Sequence, residues 1–155
     1  MAEKSEDELI IYHRRVPHWR LAGSVYFVTW RLQKFQRELA APERDVIVST
    51  LRHFDGQRYD LLAYVVMPDH VHILVKPFDK HPLSDLVRSW KSYTAYQVQR
   101  KHGRYGKIWQ EDYFDRIIRN ENEFLGKAKY ILNNPLKISP QNEEYPWVWV
   151  NTDIV

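Results

Sequence analysis

The chain contains no cysteine, which excludes disulfides, thiolate metal sites and cysteine nucleophiles. No apolar run approaches the roughly 20 residues of a membrane-spanning helix, so no membrane partner is expected. The opening stretch MAEKSEDELI carries acidic residues and no apolar h-region, unlike a secretory signal, and a cytoplasmic location is the expectation. No Walker-type glycine loop is present, so nothing points to ATP-driven chemistry. Internal repeats, low-complexity tracts and obvious linkers are also missing. A length of 155 residues suits one domain, expected to span 1–155 with a basic arm over 1–20 and a tail over 136–155.

What is there is a mildly basic, aromatic chain. Net charge is +3 with a pI near 9.0, which permits nucleic-acid binding without requiring it. Aromatic residues make up 14%, and tyrosine and tryptophan can stack on unpaired bases or simply fill a core.

The pattern of elements predicts an α+β fold. SVYFVTWRL reads as a first strand. In APERDVIVSTLRHF, Pro42 suits a first helical turn, and Ile47, Leu51 and Phe54 recur at helical spacing. RYDLLAYVVM and HVHILVK read as two strands joined by a turn at Pro68-Asp69. A long helix is expected from about Pro82 to His102, with Ser84 or the residues before it as cap. A fourth, less regular strand lies within KIWQEDYFDRIIR. A last helix spans about Glu121 to Asn133, with Phe124, Ala128 and Ile131 inward, and is expected to stop near Asn134 because Pro135 follows. The order matches a ferredoxin-like βαββαβ antiparallel sheet with helices on one face, plus a C-terminal helix. The third strand then lies beside the first, and the aromatic tail packs back on the domain.

The stretch YVVMPDHVHILV carries the first chemistry. Side chains two apart on a strand share a face, so His70 and His72 project together while Val71 and Ile73 point away. Two imidazoles so placed can hold one divalent ion, or can be packed and hydrogen-bonded on the sheet. Without cysteine the other ligands are oxygen or nitrogen, and Mg2+ or Mn2+ fits if phosphate and water complete the shell. Asp69 is out of phase with His70 and reads as a turn residue. In KAKYILNNPL, Tyr130 and Asn134 stand at i and i+4 on one helix face, and Lys127 borders it. Tyr130 lies off the apolar stripe and is a candidate nucleophile or an ordinary amphipathic tyrosine. Asn134 offers an amide oxygen as a third ligand, or is a helix-end cap.

Together, FVTWRL, YVVMPDHVHILV, WKSYTA, IWQEDYFDRIIRN and YILNNPL resemble, in that order, the single-tyrosine transposases of the HUH nuclease class, and within them the REP-associated tyrosine transposases. The resemblance spans about Ser24 to Trp147. It implies that His70 and His72 bind metal, that Tyr130 attacks DNA, and that Asn134 helps complete the metal site. It implies a single-stranded DNA endonuclease and strand transferase acting near REP-like hairpins through a 5′-phosphotyrosine. Arg116, Arg119 and Lys91 are DNA-contact candidates or solvated surface residues. Arg14, Arg15 and Arg20 are candidates for a hairpin groove, and Lys127 borders the tyrosine. Classical relatives are dimers that swap the tyrosine helix, whereas the REP-associated branch is expected to be monomeric.

Two other readings stand beside this one. One is a DNA-hairpin-binding protein of the same descent that mobilises nothing. The other is a nucleotide hydrolase of the histidine-triad class, which needs His-x-His-x-His but meets Leu74 at the third position.

Overall fold

In the computed structural model of the chain, residues 23–139 and 144–151 are described. Strand β1, Tyr26–Arg31, leads to helix α1, Ala41–His53. Pro42 sits in the first turn, where its missing N–H costs nothing, and Glu43 Oε1 accepts the Ala40 N–H at 2.8 Å. Gly56, at φ +84°, makes the left-handed turn into β2, Tyr59–Val66. Pro68 and Asp69 form the hairpin to β3, His70–Pro77. Helix α2 runs Leu83–His102, and Gly103 ends it at φ +64°. Strand β4 is Phe114–Ile117, and helix α3 is Glu121–Asn133. The Asn120 side chain caps α3 by accepting the Glu123 N–H. A 3-10 turn, Asn134–Lys137, follows, and β5 is Val148–Val150.

The five strands run in the order β4-β1-β3-β2-β5 with every pair antiparallel. The first four have the expected ferredoxin-like arrangement, with β3 beside β1 at the sheet centre. The tail does pack back, and it does so as a fifth strand against the free edge of β2.

Alternation along the strands gives each face its own core. Val28 and Trp30 of β1 and Val71, Ile73 and Val75 of β3 face α1 and α2, meeting Ile47, Leu51, Val87 and Trp90. Each such fully buried aliphatic side chain contributes about 1.5–3 kcal/mol by leaving water. Phe27, Val65 and Leu74 face the opposite way and meet Phe124, Ala128 and Ile131 of α3. The sheet therefore lies between a helix pair and the tyrosine-bearing helix.

Two details differ from expectation. The residue at the start of α2 is Pro82, and no side chain caps it, so Ser84 lies inside the first turn. The last α-helix ends at Asn133 as expected, yet Asn134 does not turn extended before Pro135: its φ of −55° and ψ of −43° lead into the 3-10 turn. Pro135 is accommodated because it falls in the first turn of the 3-10 segment, where an absent N–H breaks no bond.

The tryptophan motifs hold the frame. Trp109 Nε1 donates to Thr94 Oγ1 at 2.9 Å, and Trp90 Nε1 donates to Tyr59 Oη at 3.3 Å. Lys91 Nζ donates to the carbonyls of Gln110 and Glu111 at 2.8 and 2.9 Å. These bonds tie α2 to β2 through Tyr59 and to the segment that leads into β4 through Trp109, Gln110 and Glu111.

Candidate active site

The strand register builds the first half of the site. Thr29 on β1 and His72 on β3 are direct partners, on the face that carries α3. The Thr29 hydroxyl lies 2.7 Å from His72 Nδ1. His70, at the rim, places Nδ1 2.6 Å from Asp69 Oδ1. That carboxylate orients the His70 ring at the rim of the site. The two imidazoles stand 4.7 Å apart between ring centroids.

His72 is buried, and its Nε2 has no hydrogen-bond partner. Burial, with the positive charges of His70, Arg31, Lys137 and Lys127 around it, pushes its pKa down to about 3. His72 is therefore a neutral base at physiological pH.

Helix α3 supplies the second half. Its inward stripe of Phe124, Ala128 and Ile131 seats it on the sheet and turns Tyr130 to the edge of the contact. Tyr130 stays 41% exposed, with its ring 5.2 Å from that of His72 and 6.1 Å from Phe27. Lys137 Nζ lies 3.3 Å from Tyr130 Oη, and Lys127 Nζ lies 5.8 Å from the ring centre. Partial burial raises the phenol pKa, but hydrogen bonding from Asn134 and Lys137 and the charges of Lys137 and Lys127 outweigh it, so the net shift is downward.

Asn134 sits one turn beyond Tyr130 and is 1% exposed. Its Nδ2 donates to the Tyr130 carbonyl at 3.4 Å, while Oδ1 has no partner. A buried polar atom without a partner is costly, and here His72 Nε2 and Asn134 Oδ1 are two such atoms. Among the described residues no three His, Cys, Asp or Glu side chains converge in a group that could hold a metal ion.

The structure thus brings together His70, His72, Tyr130, Asn134 and Lys127. The other candidates make contacts of their own, with Arg116 paired across the strands with Phe27 on the same face of the sheet. The Arg116 guanidinium pairs with Glu123, and the Arg119 backbone N–H donates to the same carboxylate, which locks β4 to the start of α3. Lys91 is committed to backbone carbonyls on the far side of the sheet. Arg14, Arg15 and Arg20 lie outside the described residues.

Three site residues escaped the sequence reading. Thr29 was visible only as part of a strand, and its role depends on register. Lys137, seven residues past Tyr130, had a usable signal, since that spacing returns to the same helical face. Asp69 was set aside for its phase, yet its carboxylate sits on the turn and folds back onto His70.

The five-stranded sheet, covered by helices on both faces, thus sets an imidazole pair beneath a helix-borne tyrosine. The chain belongs to the IS200-like transposase family, whose profile, described as "Transposase IS200 like", matches residues 25–134, from β1 to Asn134. It is similar to the REP-associated tyrosine transposase of Escherichia coli strain K12, with 23% identity over 138 residues covering 86% of this chain and 81% of that one. A solved structure described as a REP-associated tyrosine transposase bound to a REP hairpin superposes with a TM-score of 0.65 at 22% identity, covering 83% of this chain and 77% of its own. That likeness carries the fold, and the family resemblance read from the motifs holds. Among the described residues no helix is long and apolar enough to cross a membrane.

Proposed function

We propose that this chain cuts and rejoins single-stranded DNA beside hairpins, with Tyr130 as the nucleophile and a divalent cation, Mg2+ or Mn2+, as cofactor. The observation that carries the reading is the placement of Tyr130 against His72, with His72 Nε2 and Asn134 Oδ1 both buried and unpartnered. Those atoms fit a hard cation whose remaining ligands are phosphate and water oxygens, and His70, His72 and Asn134 are the residues that would hold it. When bound, such a cation stabilises negative charge on the phosphate oxygens.

The protein's own groups account for the rest. The oxygen of Tyr130 attacks the phosphorus of a DNA phosphodiester. A bond from phosphorus to the phenolic oxygen forms, the bond to the 3′ oxygen breaks, and that oxygen takes a proton and leaves as a 3′-hydroxyl. Tyr130 releases its proton to solvent, aided by the cations of Lys137 and Lys127. The 5′-phosphotyrosine keeps the energy of the broken bond. The 3′-hydroxyl of another strand can therefore attack it and restore Tyr130 without ATP.

Hairpin association rests on the similarity to the REP-associated transposase of E. coli and to the hairpin-bound structure. Tyr130 stands against His72 of its own chain. A hairpin-binding protein without chemistry is the second reading, and the two buried polar atoms without partners favour the enzyme. The test is a labelled hairpin oligonucleotide with a single-stranded flank, incubated with Mg2+ or Mn2+. A denaturant-resistant adduct is expected with wild type and not with Tyr130→Phe, and binding without any adduct would favour the second reading.

A further inference from the structure

Away from the tyrosine, two loops carry the most exposed aromatic side chains among the described residues. Phe35, in the loop after β1, is 70% exposed, and Tyr105, in the loop after α2, is 88% exposed. Single exposed aromatics are common on protein surfaces. These two share one braced structure. Gln36 Nε2 donates to the carbonyls of Tyr105 and Lys107 at 2.8 and 3.0 Å. Arg104 donates to Gln36 Oε1 and to the carbonyls of Arg37 and Glu38, and its guanidinium is held by the buried carboxylate of Glu43. Gly106, at φ +75°, lies under Phe35, whose Cε1 is 3.8 Å from where a Cβ would stand.

The bracing leaves two aromatic rings in water on a backbone that is already fixed. Little conformational entropy is then lost when a flat partner stacks on them. The charge around them is of one main sign. Lys34 and Arg37 are exposed on the first loop, and Arg100, Lys101 and Lys107 on or beside the second. The exposed acids close by are Glu38, Asp69, Glu111 and Asp112, of which Asp69 is held by His70 and Glu111 is paired with Lys107. Aromatic faces among cations suit unpaired nucleotides, whose bases stack while their phosphates are neutralised.

The position ties this surface to the site. Leu32 N–H donates to the Asp69 carbonyl at 2.9 Å, and Leu39 N–H donates to the Pro68 carbonyl at 2.8 Å. The Phe35 loop is thus bounded at both ends by the turn that leads into His70. Arg31, four residues before Phe35, is the cross-strand partner of His70.

We infer that Phe35 and Tyr105 form a stacking platform for unpaired bases of the DNA strand that passes the His70 end of the site. This deepens the proposed function and rests on it for the identity of the strand.

The test measures equilibrium binding without divalent cation and in a Tyr130→Phe background, so that cleavage does not enter. The probes are an oligothymidylate of about a dozen nucleotides, within the range single-strand grooves cover, and an abasic oligomer of equal length and charge. Phe35→Ala with Tyr105→Ala should weaken oligothymidylate binding about tenfold or more, as stacking contributes about 5- to 150-fold per base. The same double variant should bind the abasic oligomer like the parent, and Phe35→Tyr with Tyr105→Phe should restore oligothymidylate binding. Equal losses on both oligomers, or no loss on either, would overturn the platform. Adduct formation by wild type is scored separately: a base-dependent loss without an adduct leaves the platform standing and removes the reaction, and the reverse result does the opposite.

Discussion

The Thr29 hydroxyl meets His72 Nδ1 at 2.7 Å across the β1–β3 pairing, which holds a ring that stands 5.2 Å from that of Tyr130. A partner on the far ring nitrogen orients a ligating imidazole and sets its basicity. Thr29→Val keeps shape and strand propensity but removes the partner. Its affinity for Mn2+, read by calorimetric titration, is expected to fall about 10–100-fold with little change in fold. Unchanged affinity would mean that the ring needs no such support.

Asn134 separates structural from functional roles. Its Oδ1 is buried without a partner, a cost to the apo fold. Asn134→Leu removes that cost, so stability in urea is expected to stay level or rise, while Mn2+ affinity falls. A loss of stability with affinity intact would instead identify Asn134 as a helix-end cap.

Lys137 predicts a pH effect. Its ammonium, 3.3 Å from Tyr130 Oη, helps hold the phenol below its ordinary pKa against the opposing effect of burial. Lys137→Met removes that help, so the phenol pKa rises and phenolate forms only at higher pH. The rising limb of the pH–rate profile for adduct formation should move in the alkaline direction, with rate recovered at high pH. A loss that is the same at every pH would contradict this role.

Stability rests partly on the buried pair of Glu43 and Arg104, whose Oε2 and Nε are 2.5 Å apart. Burial pushes the Glu43 carboxyl up, but hydrogen bonds from Arg104 and the Ala40 N–H, with the charge of Arg104, bring its pKa below the ordinary 4.5. A depressed carboxylate contributes stability above its unfolded pKa and loses it as pH falls through the folded one. Glu43→Gln leaves a buried guanidinium unpaired and is expected to cost about 3–5 kcal/mol near neutrality. Chemical denaturation at several pH values should show the gap between wild type and variant closing as pH falls below 4.5.

Local patterns carried much of the architecture. The helix Glu121–Asn133 was legible because its apolar stripe is regular and proline follows it, and period-two alternation placed His70 and His72 on one face. What was hidden depends on partners distant in the chain. The strand Val148–Val150 is three residues long and owes its existence to the open edge of β2. Arg116 alternates with apolar residues on its strand, and that pattern alone does not reveal its ion pair with Glu123. Asp69 is the turn residue its phase predicts, and what phase along a strand does not reveal is that its carboxylate folds back onto His70.

The most direct test maps the covalent bond. After reaction with a hairpin oligonucleotide, nuclease trimming and trypsin, Tyr130 is released in the peptide YILNNPLK, where it is the sole tyrosine. Mass spectrometry should find that peptide carrying a nucleotide 5′-phosphate on Tyr130, in a divalent-cation-dependent manner and only when His70 and His72 are intact. An adduct on any other residue, or one that survives Tyr130→Phe, would contradict the account.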